Sequence, residues 1–135
     1  MEVVLDANVL FRVLISRGDI IKLLFDAKLV IFAPAKLKEE FRNNKREILA
    51  KSKLSEAEFN ELSSRIFDLI NFVPLDIYKQ FIPQAKELLR GHDKDCDFIA
   101  LCLMKGAKLW TYEERLFNIG FGISTKEVSK GLSKL

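Results

Sequence analysis

The run Val3-Val4-Leu5-Asp6-Ala7-Asn8 decides the class of fold. Its first three residues are apolar, largely β-branched and unalternating, the pattern of a strand covered on both faces in a parallel sheet. Asp6 closes the strand. Val9-Leu10-Phe11 through Leu14-Ile15 then reads as a buried helix, broken by Arg17-Gly18-Asp19 ahead of a helix carrying Ile20, Leu23 and Leu24.

The alternation returns downstream. Leu29-Val30-Ile31-Phe32 reads as a second strand, and Pro34 suits the first turn of a helix with Leu37, Phe41 and Ile48 on one face. Ser55-Glu56-Ala57-Glu58 has the capping-box pattern and starts a helix with the stripe Phe59, Leu62, Ile66 and Leu69. Phe72-Val73 before Pro74 is a third strand. A helix with Phe81, Ala85, Leu88 and Leu89 follows and stops at Gly91. Phe98 to Met104 is apolar almost all round, so that helix must lie centrally. Lys108 to Tyr112 is a fourth strand ending at Glu113, and Ile123 leads to Ser124-Thr125 as the cap of a last helix bearing Val128 and Leu132.

Strands alternating with helices imply an α/β fold in three layers, α/β/α, around a central parallel sheet of four or five strands. At 135 residues the expectation is one domain spanning 1–135, with enough apolar material, 49% of residues, to bury a core without disulfides. The net charge of +3 is compatible with a polyanionic partner and does not argue for one. Cys96 and Cys102 fall within one helix, which makes a mutual disulfide implausible and points to a reducing compartment. Together with the lone His92 they fall short of a structural zinc site. A charge inside the short apolar run at the N-terminus suits neither a signal peptide nor a membrane span, so a soluble cytoplasmic protein is expected.

Four acids occupy strand ends or helix starts: Asp6, Glu40, Asp95 and Glu113. In parallel sheets the ligand site lies beyond the carboxyl ends of the strands, so Asp6, Asp95 and Glu113 should share one edge. Clustered carboxylates are how proteins hold Mg²⁺ or Mn²⁺, because each raises the pKa of the others until a cation compensates. Each has a plainer reading. Asp6 by itself serves equally well as a cap for the following helix, Glu40 stands on the shoulder of an apolar stripe, and Asp97 is a helix N-terminal charge. Asn44 falls on that stripe and needs a partner. Trp110 is core or, less simply, a platform for a base.

The Asp6-Ala7-Asn8 motif resembles the opening of PIN-domain ribonucleases. The resemblance continues through Leu37-Lys38-Glu39-Glu40-Phe41, Asp95-Cys96-Asp97-Phe98-Ile99-Ala100-Leu101-Cys102 and Leu109-Trp110-Thr111-Tyr112-Glu113. It is nearest to the toxin subunits of VapBC-type toxin-antitoxin pairs and to archaeal stand-alone relatives. It implies a metal-dependent endoribonuclease with Asp6, Glu40, Asp95 and Glu113 as its four acids, a homodimer, and a small antitoxin protein as partner. Two departures stand out: the fourth acid is usually aspartate, leaving Glu113 or Glu114 to fill it, and the alanine-rich pattern after the third acid is only partly kept. A catalytically inactive RNA- or protein-binding module is the competing expectation. A receiver or haloacid-type phosphatase needs an aspartate pair at the first strand, which Asp6-Ala7-Asn8 lacks. Asn8 and Thr111 are supporting candidates: Asn8 for fixing the chain after Asp6 or hydrogen-bonding an acid, Thr111 for holding a carboxylate or a metal-bound water through its hydroxyl. Arg12, Lys45 and Arg46 are candidates for the RNA backbone.

Overall fold

A computed structural model describes residues 1–135. Strand β1 is Glu2–Leu5, followed by α1 (Ala7–Ser16) and α2 (Gly18–Leu24), then β2 (Val30–Pro34), α3 (Leu37–Ser52), α4 (Glu56–Leu69) and β3 (Ile70–Val73). After these come α5 (Leu75–Tyr78), α6 (Ile82–Leu89), α7 (Cys96–Lys105), β4 (Lys108–Trp110), α8 (Glu114–Asn118), β5 (Gly122–Ile123) and α9 (Thr125–Ser133), with 3-10 turns at Lys79–Phe81 and Asp93–Asp95.

The five strands form one parallel sheet in the order β3-β2-β1-β4-β5. Successive strand residues point to opposite faces, yet Val3, Val4 and Leu5 are all essentially inaccessible, so helices cover β1 on both sides. One set gathers α1 with α3 and α4; the other gathers α5 and α6 on α7, which also packs on β1, β2 and β4. That central place explains why α7 is apolar almost all round: Phe98, Ile99, Ala100, Leu101 and Cys102 are buried. No helix is long and apolar enough to cross a membrane.

Local signals act as the sequence implies at several joints. Ser55 Oγ accepts from the Glu58 N–H at 3.1 Å while Glu58 Oε1 accepts from the Ser55 N–H at 2.9 Å, and Ser124 and Glu127 repeat the capping box at α9. The α1–α2 break falls where Arg17 and Gly18 both take positive φ, 55° and 58°.

Three expectations are corrected. Pro34 does not start a helix; it is the last residue of β2, paired with Val73, and α3 begins at Leu37. Proline's fixed φ suits the end of a strand as well as a first helical turn, and its missing donor costs nothing there because Ala35 N–H takes up the bond to Val73 O. Phe81 lies before α6, in a 3-10 turn. Pro83, second in α6, has no N–H to donate and would clash with the carbonyl four residues back, so no continuous helix can run through this stretch. β4 ends at Trp110, leaving Thr111 and Tyr112 beyond the strand.

Candidate metal centre

Strand order reverses at β1: β2 and β3 lie to one side, β4 and β5 to the other. The crevice outside the carboxyl ends of β1 and β4 is therefore the topological switch point, where side chains from different segments can converge with no strand blocking them. Leu5 is opposite Trp110 in the register, which brings Asp6 next to Thr111.

Asp6 is only 4% exposed. Its Oδ1 accepts from the Ala7 N–H at 2.8 Å and its Oδ2 from the Thr111 hydroxyl at 2.6 Å. Helix capping and a role in the site thus fall to different oxygens of one carboxylate. Thr111 Oγ1 in turn accepts from the Glu113 N–H at 3.0 Å and from Asn8 Nδ2 at 3.4 Å, which uses the full capacity of a hydroxyl, one donor and two lone pairs. Asn8 does not bond an acid; its second bond, from the Tyr112 N–H at 3.4 Å, ties α1 to the segment after β4.

Asp95 ends the 3-10 turn before α7 and is buried, and Glu113 sits half-buried at the N-terminus of α8. Asp6, Asp95 and Glu113 each offer a carboxylate oxygen, and these atoms lie within 4.8 Å of one another. Glu113 is the one of the two neighbouring glutamates that joins the cluster; Glu114, exposed at the next position, stays outside it. Glu40 is not in the converging trio. It lines the same groove of about 300 Å³ from α3, with Asn8, Phe11, Asn44 and Lys94. Asn44 finds the partner it needs one turn back, donating to Glu40 O at 2.7 Å.

Burial pushes the Asp6 carboxyl up to about 6 from an ordinary 3.8, held back by the Thr111 and Ala7 bonds and pushed further by Asp95 and Glu113. Burial likewise raises Asp95, then the Glu113 charge; Lys94 and Arg115 pull it down. Glu40 is raised by burial and lowered by Lys36.

Three charged groups that sequence reasoning left aside shape the site. Arg115 Nη2 lies 2.5 Å from Asp95 Oδ2 and 3.2 Å from Glu113 Oε1. Lys36 Nζ stands 3.8 Å from Glu40 and 3.6 Å from Asp97, and Asp97 Oδ2 accepts from the Tyr78 hydroxyl at 2.5 Å. Asp97 is thus more than a helix N-terminal charge: it anchors the lysine that holds Glu40. A cation two residues after Glu113 was the one local signal for Arg115. Of the cations singled out from sequence, Arg12 is exposed with its guanidinium over the Tyr112 ring at 5.4 Å, and neither it nor Lys45 nor Arg46 lines the groove. Trp110 is fully buried, with Nε1 donating to Thr125 Oγ1 at 3.0 Å, which removes it from any contact with a base.

Three converging carboxylates and no nitrogen or sulfur donor make a set suited to a hard divalent cation such as Mg²⁺ or Mn²⁺. The pH dependence of the metal-free protein should report the cost of that convergence. Unfolded, Asp6 gives up its proton near 3.8; folded, near 6. Between these values the native state keeps a proton that the unfolded state has lost, so stability in EDTA falls as pH rises from about 4 to about 7, by on the order of 3 kcal/mol from Asp6. The capping glutamates Glu58 and Glu127, lowered by backbone hydrogen bonds, act in the opposite sense. The Asp6 share is therefore read as the difference between wild type and Asp6→Asn in urea melts across that range; identical pH profiles would contradict a buried, poorly compensated anion.

Compared with known families, the chain matches the family model described as PIN domain over residues 4–132. No curated protein matches it.

Proposed function

The chain belongs to the PIN-domain family, and from that premise we propose that it is a Mg²⁺- or Mn²⁺-dependent endoribonuclease, the toxin of a type II toxin-antitoxin pair. The observation that carries the reading is the convergence of Asp6, Asp95 and Glu113 at the switch point of the sheet.

The chemistry a divalent ion supplies in such a site is polarisation of the scissile phosphodiester and acidification of the attacking water. Asp6, Asp95 and Glu113 would hold the ion. Thr111 fixes the Asp6 carboxylate through Oδ2 and, through the Glu113 N–H, the start of α8, so one hydroxyl sets the spacing of two ligands. Glu40, across the groove and restrained by Lys36, would take the proton of the attacking water. Its raised pKa favours that role. Arg12, Lys45 and Arg46 would meet the RNA backbone outside the groove, contributing affinity without sequence choice. A homodimer, with a small antitoxin blocking the acidic groove, completes the proposal.

A second reading has one observation in its favour. Arg115 already pairs with both Asp95 and Glu113, an arrangement equally suited to an inactive RNA- or protein-binding module with a structural ion pair. Incubation of the purified protein with a mixed RNA pool in EDTA, Mg²⁺ and Mn²⁺, beside Glu113→Gln, separates the two. The nuclease reading expects cleavage only with metal, reduced by about 10- to 100-fold in Glu113→Gln as one ligand is weakened. Absence of cleavage with either metal favours the binding module.

A further inference from the structure

Arg115 stands in the wall between two grooves. On one side it reaches Asp95 and Glu113; on the other it lines a second groove, of about 1010 Å³, with Glu87, Leu88, Arg90, His92 and Ile119. A single nitrogen, Nη2, makes both of its carboxylate contacts. Its Nε is buried and has no hydrogen-bond partner. A guanidinium carries five donors in a planar fork, and buried donors without partners are rare because desolvation goes uncompensated. The side chain is thus held by charge in a place that leaves its hydrogen-bonding capacity largely unspent.

Resting on the ribonuclease reading, we propose that Arg115 exchanges one anion for another: it holds Asp95 and Glu113 together in the metal-free protein and, when a divalent ion takes those carboxylates, turns into the adjoining groove to bind a phosphate of the RNA strand. The two cations compete for the same carboxylates, since Asp95 and Glu113, both held by Arg115, belong to the trio whose oxygens lie within 4.8 Å of one another. A divalent ion among them places like charge against Arg115 and weakens its hold. The groove it already lines offers a site with a second guanidinium, Arg90, and the imidazole N–H donor of His92, both exposed, beside one acid, Glu87. Arg90 makes no side-chain hydrogen bond or ion pair. A phosphate accepts two parallel N–H bonds from a guanidinium, the geometry that Nη2 alone cannot give to carboxylates on two different residues.

The lining also says what is not read. Its apolar residues are Leu88, Leu89 and Ile119, and the lining holds no Phe, Tyr or Trp ring as a broad platform for a base. Recognition therefore goes to the sugar-phosphate backbone, with strong salt dependence and little sequence preference. Metal and RNA become linked ligands, each raising the affinity for the other by the same factor.

The test uses the full chain, its Arg115→Gln variant and the charge-keeping Arg115→Lys, each checked for folding by thermal melts in EDTA and in Mn²⁺. Calorimetric titration with Mn²⁺ alone should give tighter binding in Arg115→Gln, on the order of tenfold, because the internal competitor is gone, and near-wild-type binding in Arg115→Lys. Anisotropy of a labelled single-stranded RNA oligonucleotide is then measured in EDTA and in Ca²⁺, an oxygen-seeking ion that permits binding to be followed apart from turnover. The wild type should gain affinity from the metal by a factor on the order of five to ten larger than Arg115→Gln gains. A merely structural ion pair would lower RNA affinity equally in both buffers. Equal metal-induced gains, or Mn²⁺ binding unchanged or weaker in Arg115→Gln, would overturn the exchange while leaving metal-dependent cleavage intact. Absence of RNA binding by the wild type in either buffer would overturn the exchange and the ribonuclease reading together.

Discussion

Asp6→Asn should abolish metal-stimulated RNA cleavage, with a loss of at least about 10³-fold in kcat, or about 4 kcal/mol of transition-state stabilisation. The substitution is nearly isosteric and leaves Oδ1 to accept from Ala7, so α1 should keep its start. What changes is the other atom. Thr111 Oγ1 already receives N–H bonds from Glu113 and Asn8 and donates its own hydrogen to Asp6 Oδ2. An amide nitrogen there would be a third donor aimed at one hydroxyl, and the Thr111 hydrogen would lose its acceptor. The trio thus loses both a negative charge and the bond that sets its spacing. The control is built into stability: with the buried carboxyl gone, melts in EDTA should no longer lose stability through Asp6 between about pH 4 and about 7. Cleavage that survives Asp6→Asn at more than a few per cent of wild type would move the chemistry away from this centre.

Trp110→Ala should have the largest effect on folding. The ring is the largest of the fully buried side chains, in the strand between β1 and β5, so truncation removes its burial and leaves a cavity, at a cost of about 3–5 kcal/mol. That is a large part of the 5–15 kcal/mol that typically separates native from unfolded domains. The Thr125 hydroxyl at the head of α9 loses its indole partner as well. Because Trp110 directly precedes Thr111 and anchors the segment carrying Glu113, Mn²⁺ affinity should fall with stability. Urea denaturation with and without Mn²⁺ measures both. An unchanged denaturation midpoint alongside weakened RNA binding would instead restore the base-stacking role that burial denies.

Much of the architecture is legible because it is written in short-range signals. An unalternating β-branched run, an apolar helix with almost no polar face, a capping box at Ser55, a cap at Ser124 and a glycine-led break each depend on residues a few positions apart. The misreadings came where one residue type satisfies two local rules. Pro34 fits a strand end or a first helical turn, and only the position of Val73 on the neighbouring strand decides. Pro83 interrupts a stripe that hydrophobic spacing alone would run through.

The candidate site divides in the same way. Positions just past a strand, for Asp6 and Glu113, and at the head of a helix, for Asp95, bring the three to one edge, and the sequence order of the motifs points to them. Whether a carboxylate joins the trio or stops short of it depends on helix placement: Glu40 reaches the groove from α3 without entering the cluster, and Glu114 turns outward one residue after Glu113.

The amino-acid sequence by itself determined the alternation of strands and helices, the parallel sheet, and the acids with the all-oxygen donor set they offer, since period, capping and residue type are local properties. Tertiary structure alone decided that Thr111 bonds Asp6 across 105 positions, that Asp97 and Lys36 hold Glu40, and that Arg115 stands between the carboxylates and a second groove. These depend on distances and burial set by packing. A charged side chain has the same formal charge anywhere in the chain, and only the fold sets which charges face it and how much water lies between them.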